Sequence, residues 1–168
     1  EGMGYTASNQ WTSGNLKEFR ELVKTYLKTG KVNYHNIYPD FPTGGVITNK
    51  SEMESLYKTG KGNIVLRGNA AVVGDTIKIT SLPYQVYPED FMESLKKFTD
   101  SSAHTIKDVA NRSGMSGMLI EIECERGTAD YMLAVLYKKT NLQITISDEH
   151  KAVVDGKPQL ITLEDYVK

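Results

Sequence analysis

With 168 residues, 39% of them apolar and 24% charged, and a formal net charge of −1, the chain has the composition of an ordinary globular domain, which excludes a disordered tail. Near-neutral charge argues against a free-standing nucleic-acid binder, and the single cysteine, Cys124, excludes an internal disulfide framework and a Cys-based metal site. No apolar run reaches the roughly 18 residues of a membrane span, no signal peptide is visible, and one cysteine fits a reducing, cytoplasmic setting.

"NLKEFRELVKTYLKTG" predicts the first helix. Leu16, Phe19, Leu22, Val23, Tyr26 and Leu27 recur at three- and four-residue spacing, Asn15 and Glu18 resemble a capping box, and Gly30 supplies a stop. "YPDFPTGG" is a stiff turn, and "SEMESLYKTG" a short capped helix ending at Gly60. The period then changes to that of strands. "GNIVLRGNAAVVGDTIKITSLPYQV" holds two β-rich runs, near 63–72 and 76–81, with "VVGDT" as a hairpin turn. "YPEDFMESLKKFTD" is a helix with Pro88 in its first turn and Phe91, Leu95 and Phe98 on one face.

"HTIKDVAN" reads as a short strand and "RSGMSG" as a turn. "GMLIEIECE" alternates Met118, Ile120 and Ile122 against Leu119, Glu121 and Glu123, as a half-exposed strand does. A helix over "GTADYMLAVLYKKTNL", a strand over "QITIS", a hairpin-like turn at "VVDGKPQL" and a last helix complete the chain. The expected fold is α+β. It has a small, mainly antiparallel sheet of order β-β-α-(β)-β-α-β with helices on one face, preceded by an N-terminal helical segment. Residues 1–62 form the helical, turn-rich part and residues 63–168 the α+β part of one structural domain, and the opening at Glu1 suggests a piece of something larger.

The charge is unevenly spread. Residues 1–70 hold nine Lys and Arg against six Asp and Glu, while residues 71–168 hold eleven against fifteen. Such polarity sets one face toward an anionic partner, and chance unevenness explains it equally well. Catalytic motifs are missing from the sequence. His35, His104 and His150 have no ligand partner at i+3 or i+4, "TGKGN" lacks the spacing of a phosphate-cradling loop, and Cys124 lies among acids that raise a thiol pKa. Glu121, Glu123 and Glu125 fit a solvated strand face better than a metal or acid–base site.

Five stretches in register carry a family resemblance: "YPDFPTGGVI", "LYKTGKGNIVLRG", "ITSLPYQV", "LYKKTNLQ" and "VDGKPQLITLEDYV". Together they resemble the tower, or shoulder, domain of the A-type breakage-reunion subunit of type IIA DNA topoisomerases, the gyrase and topoisomerase IV group. Family members usually carry Gly at the position of Tyr38 and Ile at that of Leu82, and "EGMG" is closer to the "EGIG" of viral and eukaryotic relatives. These departures suggest a divergent member, or one borne by a phage or plasmid.

The resemblance implies that the domain helps to hold and bend the cleaved, or gate, DNA duplex during ATP-dependent double-strand passage. It implies an apolar wedge at Met3 that enters between base pairs, and phosphate contacts from Lys58, Lys61 and Arg67, with Lys50 and Gln10 as weaker candidates. Gly60 and Gly62 would let backbone N–H groups approach an oxyanion. Each lysine taken singly fits an ordinary surface residue as well.

No catalytic residue is expected in this chain, because the family's nucleophilic tyrosine lies upstream, next to an arginine. Nor is a cofactor expected in it, since Mg2+ and ATP belong to the partner B-type subunit. The partners implied are double-stranded DNA and the B-type subunit. The full-length A-type protein pairs with a second copy, whereas this piece alone is expected to be monomeric and inactive. The alternative from another class is a non-enzymatic adaptor or inhibitor with a tower-like α+β fold, which would not need the basic "TGKG" edge or the Gly-flanked wedge.

Overall fold

The structure, a computed structural model, describes residues 13–35, 37–101 and 106–168. In chain order its elements are α1 (Leu16–Thr29), β1 (Val46–Ile47), α2 (Lys50–Thr59), β2 (Lys61–Arg67), β3 (Ala70–Val73), β4 (Thr76–Ile79), α3 (Pro88–Ser101), β5 (Ile106–Asn111), β6 (Ile120–Cys124), α4 (Ala129–Lys139), β7 (Gln143–Glu149), β8 (Lys151–Val154), β9 (Lys157–Leu160) and α5 (Leu163–Val167). The fold is α+β, as the periodicities predict, but the strands fall into several small sheets instead of the single small sheet expected. The strands divide among a three-stranded sheet of order β1-β2-β7, a four-stranded sheet of order β3-β4-β6-β5 and the β8-β9 hairpin. The chain forms two compact units: Glu1–Phe41 with Asn49–Ile64 and Thr145–Lys168, and Pro42–Thr48 with Val65–Ile144.

The second unit is built on the four-stranded sheet. Burial alternates along β4 and β6, and their antiparallel register sets Ile77 opposite Ile122 and Ile79 opposite Ile120, all four fully buried. Phe91, Leu95 and Phe98 of α3 and Met132 and Leu136 of α4 pack into the same cluster, closed by Leu142. Each such side chain taken out of water contributes about 1.5–3 kcal/mol. Pro88 starts α3, where its fixed φ and missing N–H cost nothing, and Glu89 and Asp90 follow in the first turn, where negative charge is favoured.

The run near 63–72 is two strands instead of the one expected, and the break falls at Gly68–Asn69. A side chain at Gly68 would collide with the carbonyl oxygen of Ser81, so the backbone there approaches another segment too closely for any other residue. The Gly68 N–H donates to the Leu142 carbonyl at 2.9 Å and the Asn69 N–H to the Ser81 hydroxyl at 3.2 Å, and β3 resumes in a different sheet.

In the first unit, Leu22, Ile37, Tyr57 and Leu163 form the core, with Phe19, Val23, Val32, Tyr34 and Val167 packed against it. Asn15 caps α1 by accepting from the Lys17 N–H at 2.9 Å, but the reciprocal half of the expected capping box is replaced: the Glu18 carboxylate accepts the Tyr38 N–H at 3.4 Å. A complete capping box does form at α5, between Thr162 and Asp165.

Candidate nucleic-acid interface

The turn from α2 into β2 carries the basic residues that the sequence singles out. Gly60 ends α2 in the left-handed region at φ 72°, and its N–H donates to the Leu56 carbonyl at 2.8 Å. That N–H is therefore spent on the helix cap. Lys58, in the last turn of α2, pairs with Glu54 at 2.6 Å and lies 5.3 Å from the Tyr34 ring centroid. Lys61, the first residue of β2, pairs with Glu149 at 3.1 Å. Side-chain exposures of 51% for Lys58 and 67% for Lys61 leave both ammonium groups in reach of solvent.

Lys50 opens α2 and lies 5.4 Å from the Tyr38 ring centroid, beside a groove of about 190 Å³ that Tyr34, His35 and Ile37 also line. Tyr38 thus supplies the aromatic face for Lys50. In the second unit, Arg67 ends β2 with its Nε donating to the Gln143 side chain at 2.6 Å and its guanidinium 4.6 Å over the Tyr137 ring. Burial raises the Tyr137 phenol pKa, and the neighbouring guanidinium offsets part of that rise. Met3 and Gln10 lie outside the described residues.

Charge pairing sets the electrostatics of this surface. The Glu54 carboxyl is held below its ordinary range by its hydrogen bond to Lys58, and that of Glu149 by bonds first to Lys151 and then to Lys61. Both pairs are exposed, so solvent screens them and each contributes little to stability. Sequence reasoning missed Lys151, whose Nζ lies 2.6 Å from Glu149 Oε2. The available signal was the alternation in "DEHK", which sets Glu149 and Lys151 on one side of an extended stretch and Asp148 and His150 on the other.

The remaining candidates resolve as structural groups. Cys124 is buried, and its thiol pKa is raised by burial first and by the Asp75 charge second. Glu121 is ion-paired with Arg112 at 2.6 Å and Lys78 at 3.7 Å. His150 is fully buried, with Nε2 2.9 Å from Asp148, whereas His104 lies outside the described residues. Among the described residues no three His, Cys, Asp or Glu side chains gather as a metal site, and no helix is long and apolar enough to cross a membrane.

The family profile of the DNA gyrase/topoisomerase IV A subunit matches residues 1–168. Similar curated proteins include the DNA gyrase A subunit of Treponema pallidum (strain Nichols), 31% identical over 92% of this chain and 20% of that protein. The probable chloroplastic/mitochondrial DNA gyrase A subunit of Oryza sativa subsp. japonica is 33% identical over 92% of this chain and 18% of its own length. The DNA topoisomerase 4 A subunit of Bacillus subtilis (strain 168) is 33% identical over 74% of this chain and 16% of that protein. The chain belongs to the DNA gyrase/topoisomerase IV A-subunit family. It spans about a fifth of the length of the curated relatives it matches.

Proposed function

We propose that this chain is the tower domain of the A-type subunit, and that it helps to hold and bend the gate duplex while the full enzyme passes a second duplex through the break. The observation that carries the reading is the α2–β2 turn. There Lys58 and Lys61 bracket Gly60 at the surface, each held by an ion pair weak enough for a DNA phosphate to displace. Lys50 and Arg67 present further cations, each seated against an aromatic ring.

Phosphate contacts of this kind fix the register of a duplex without reading its sequence. The residues of this segment therefore position DNA for chemistry done elsewhere. A tyrosine of another domain attacks the phosphodiester, and Mg2+ and ATP act through a B-type partner in a cytoplasmic, nucleoid-associated assembly. Met3 is the wedge in this reading: unstacking one base step costs a few kcal/mol and is offset by the wider contact that a bent duplex makes.

The test is duplex affinity of the full-length protein, assembled with its B-type partner, over a range of salt. Lys58→Ala with Lys61→Ala removes two phosphate contacts, so the slope of log affinity against log salt becomes shallower by about 1.8. An unchanged affinity and slope would refute the phosphate assignment. For Met3, fluorescence transfer between the ends of a bound duplex reads bending, and a Met3→Ala enzyme that bends DNA like the parent refutes the wedge.

A further inference from the structure

Glu149 sits between two lysines. Its Oε1 lies 3.1 Å from Lys61 Nζ and its Oε2 lies 2.6 Å from Lys151 Nζ, so each carboxylate oxygen has its own ammonium group. A phosphodiester presents the same feature, two oxygens on one centre that share a negative charge. All three side chains are part-exposed, with 67% of Lys61, 36% of Glu149 and 42% of Lys151 open to solvent.

The backbone beneath the three is fixed. Glu149 ends β7 and Lys151 begins β8, and the residue between them, His150, is fully buried with its Nε2 2.9 Å from Asp148 Oδ2. The His150 N–H donates to the Gly60 carbonyl at 2.7 Å, and its carbonyl accepts from the Ile161 N–H at 2.9 Å. Gly60 immediately precedes Lys61, so a single hydrogen bond ties the two strand ends that carry the lysines. The Lys61 N–H is also within 3.4 Å of the Thr59 hydroxyl, which itself donates to the Lys61 carbonyl at 2.8 Å. The lysines are thus presented from a braced junction, and little backbone ordering is left to be done when an anion arrives.

We propose that Lys61 and Lys151 form a two-pronged clamp for a backbone phosphate of duplex DNA, and that Glu149 is its resident anion, a built-in competitor that sets how tightly the duplex is held. The proposal rests on the DNA-positioning reading above, and it adds Lys151 as a phosphate contact and gives Glu149 a role opposite in sign to the lysines. A duplex phosphate takes the place of the carboxylate between the two ammonium groups. Neutralising Glu149 therefore strengthens DNA binding, whereas a purely structural ion pair predicts weakening or no change.

The experiment is fluorescence anisotropy of a labelled mixed-sequence duplex with the full-length protein and its B-type partner, for the parent, Lys151→Ala, Lys151→Arg, Glu149→Gln and the Lys58→Ala/Lys61→Ala double variant. Lys151→Ala makes the salt slope shallower by about 0.9, so the parent's advantage over it shrinks about 3.5-fold between ~50 and ~200 mM salt. Lys151→Arg keeps the parental slope. Glu149→Gln tightens binding by roughly two- to tenfold, the worth of two surface ion pairs. Thermal melting of each variant identifies any that fails to fold, in which case Lys151→Gln replaces Lys151→Ala. A parental slope for Lys151→Ala, or unchanged or weaker binding by Glu149→Gln, overturns the clamp. If the Lys58/Lys61 variant still loses affinity, the positioning role survives that result; if it too binds like the parent, both fall.

Discussion

The Gly60 carbonyl accepts a hydrogen bond from the His150 N–H at 2.7 Å. This contact joins the end of α2 to the junction of β7 and β8, and it requires a backbone path that only glycine follows easily. Gly60 stands at φ 72°, and a side chain there would collide with the carbonyl oxygen of Ile161.

Gly60→Ala is expected to lower stability by about 2 kcal/mol or more, from left-handed strain plus the collision. Gly30→Ala is the control: it shares a left-handed φ of 68° but meets nothing within 4 Å, so its cost is the strain alone, about 1 kcal/mol. Denaturant midpoints for the two variants measure the difference, and equal losses would show that the Ile161 contact relaxes freely.

Phe91 fills the core of the second unit and is fully buried. Phe91→Ala should cost about 3–5 kcal/mol, the transfer of a large ring plus the cavity left behind. Met115, at the exposed "RSGMSG" turn, should change stability by less than about 0.5 kcal/mol when replaced by Ala. Urea or guanidinium titration of both variants reads the contrast.

Burial, followed by the charges of Asp148 and Glu18, raises the Tyr57 phenol pKa well above its usual value. A raised acid favours the protonated form in the folded state. Its contribution is therefore complete below the ordinary tyrosine range near ~10 and is lost as pH climbs above it. The denaturant midpoint should fall between pH ~8 and ~11, and that of Tyr57→Phe should fall less. The Tyr34 and Tyr137 phenols are raised too and keep part of the alkaline loss in that variant.

Arg67 stacks on Tyr137 and is oriented by Gln143. A lysine has neither a planar group to stack nor an Nε donor at that position, so Arg67→Lys should lose about 0.5–1 kcal/mol of stability. In the proposed role it should also weaken duplex binding equally for unrelated sequences. A sequence-dependent loss would point to base contact instead of phosphate contact.

Much of the local structure is legible in the residues. Apolar spacing marks α1, α3 and α4, Gly30 and Gly60 mark helix ends, and the hairpin around Gly74 and Asp75 joins β3 to β4. These features rest on contacts within a few residues, which composition and periodicity record directly. The break inside the 63–72 run is not legible, because it arises from the approach of Ser81 and Leu142, which no local pattern records.

The same division holds for the candidate interface. The family, the α+β class and the basic character of "YKTGKGNIVLR" follow from residue identity and order alone. The partner of each cation does not: Glu149 for Lys61, Gln143 and Tyr137 for Arg67, and Tyr38 for Lys50 emerge only once the chain is folded. So does the burial of His150 between Glu149 and Lys151, which both reach solvent. Strand pairing and core packing bring together residues far apart in sequence, and the energies of those contacts depend on the whole assembled surface instead of on any one segment.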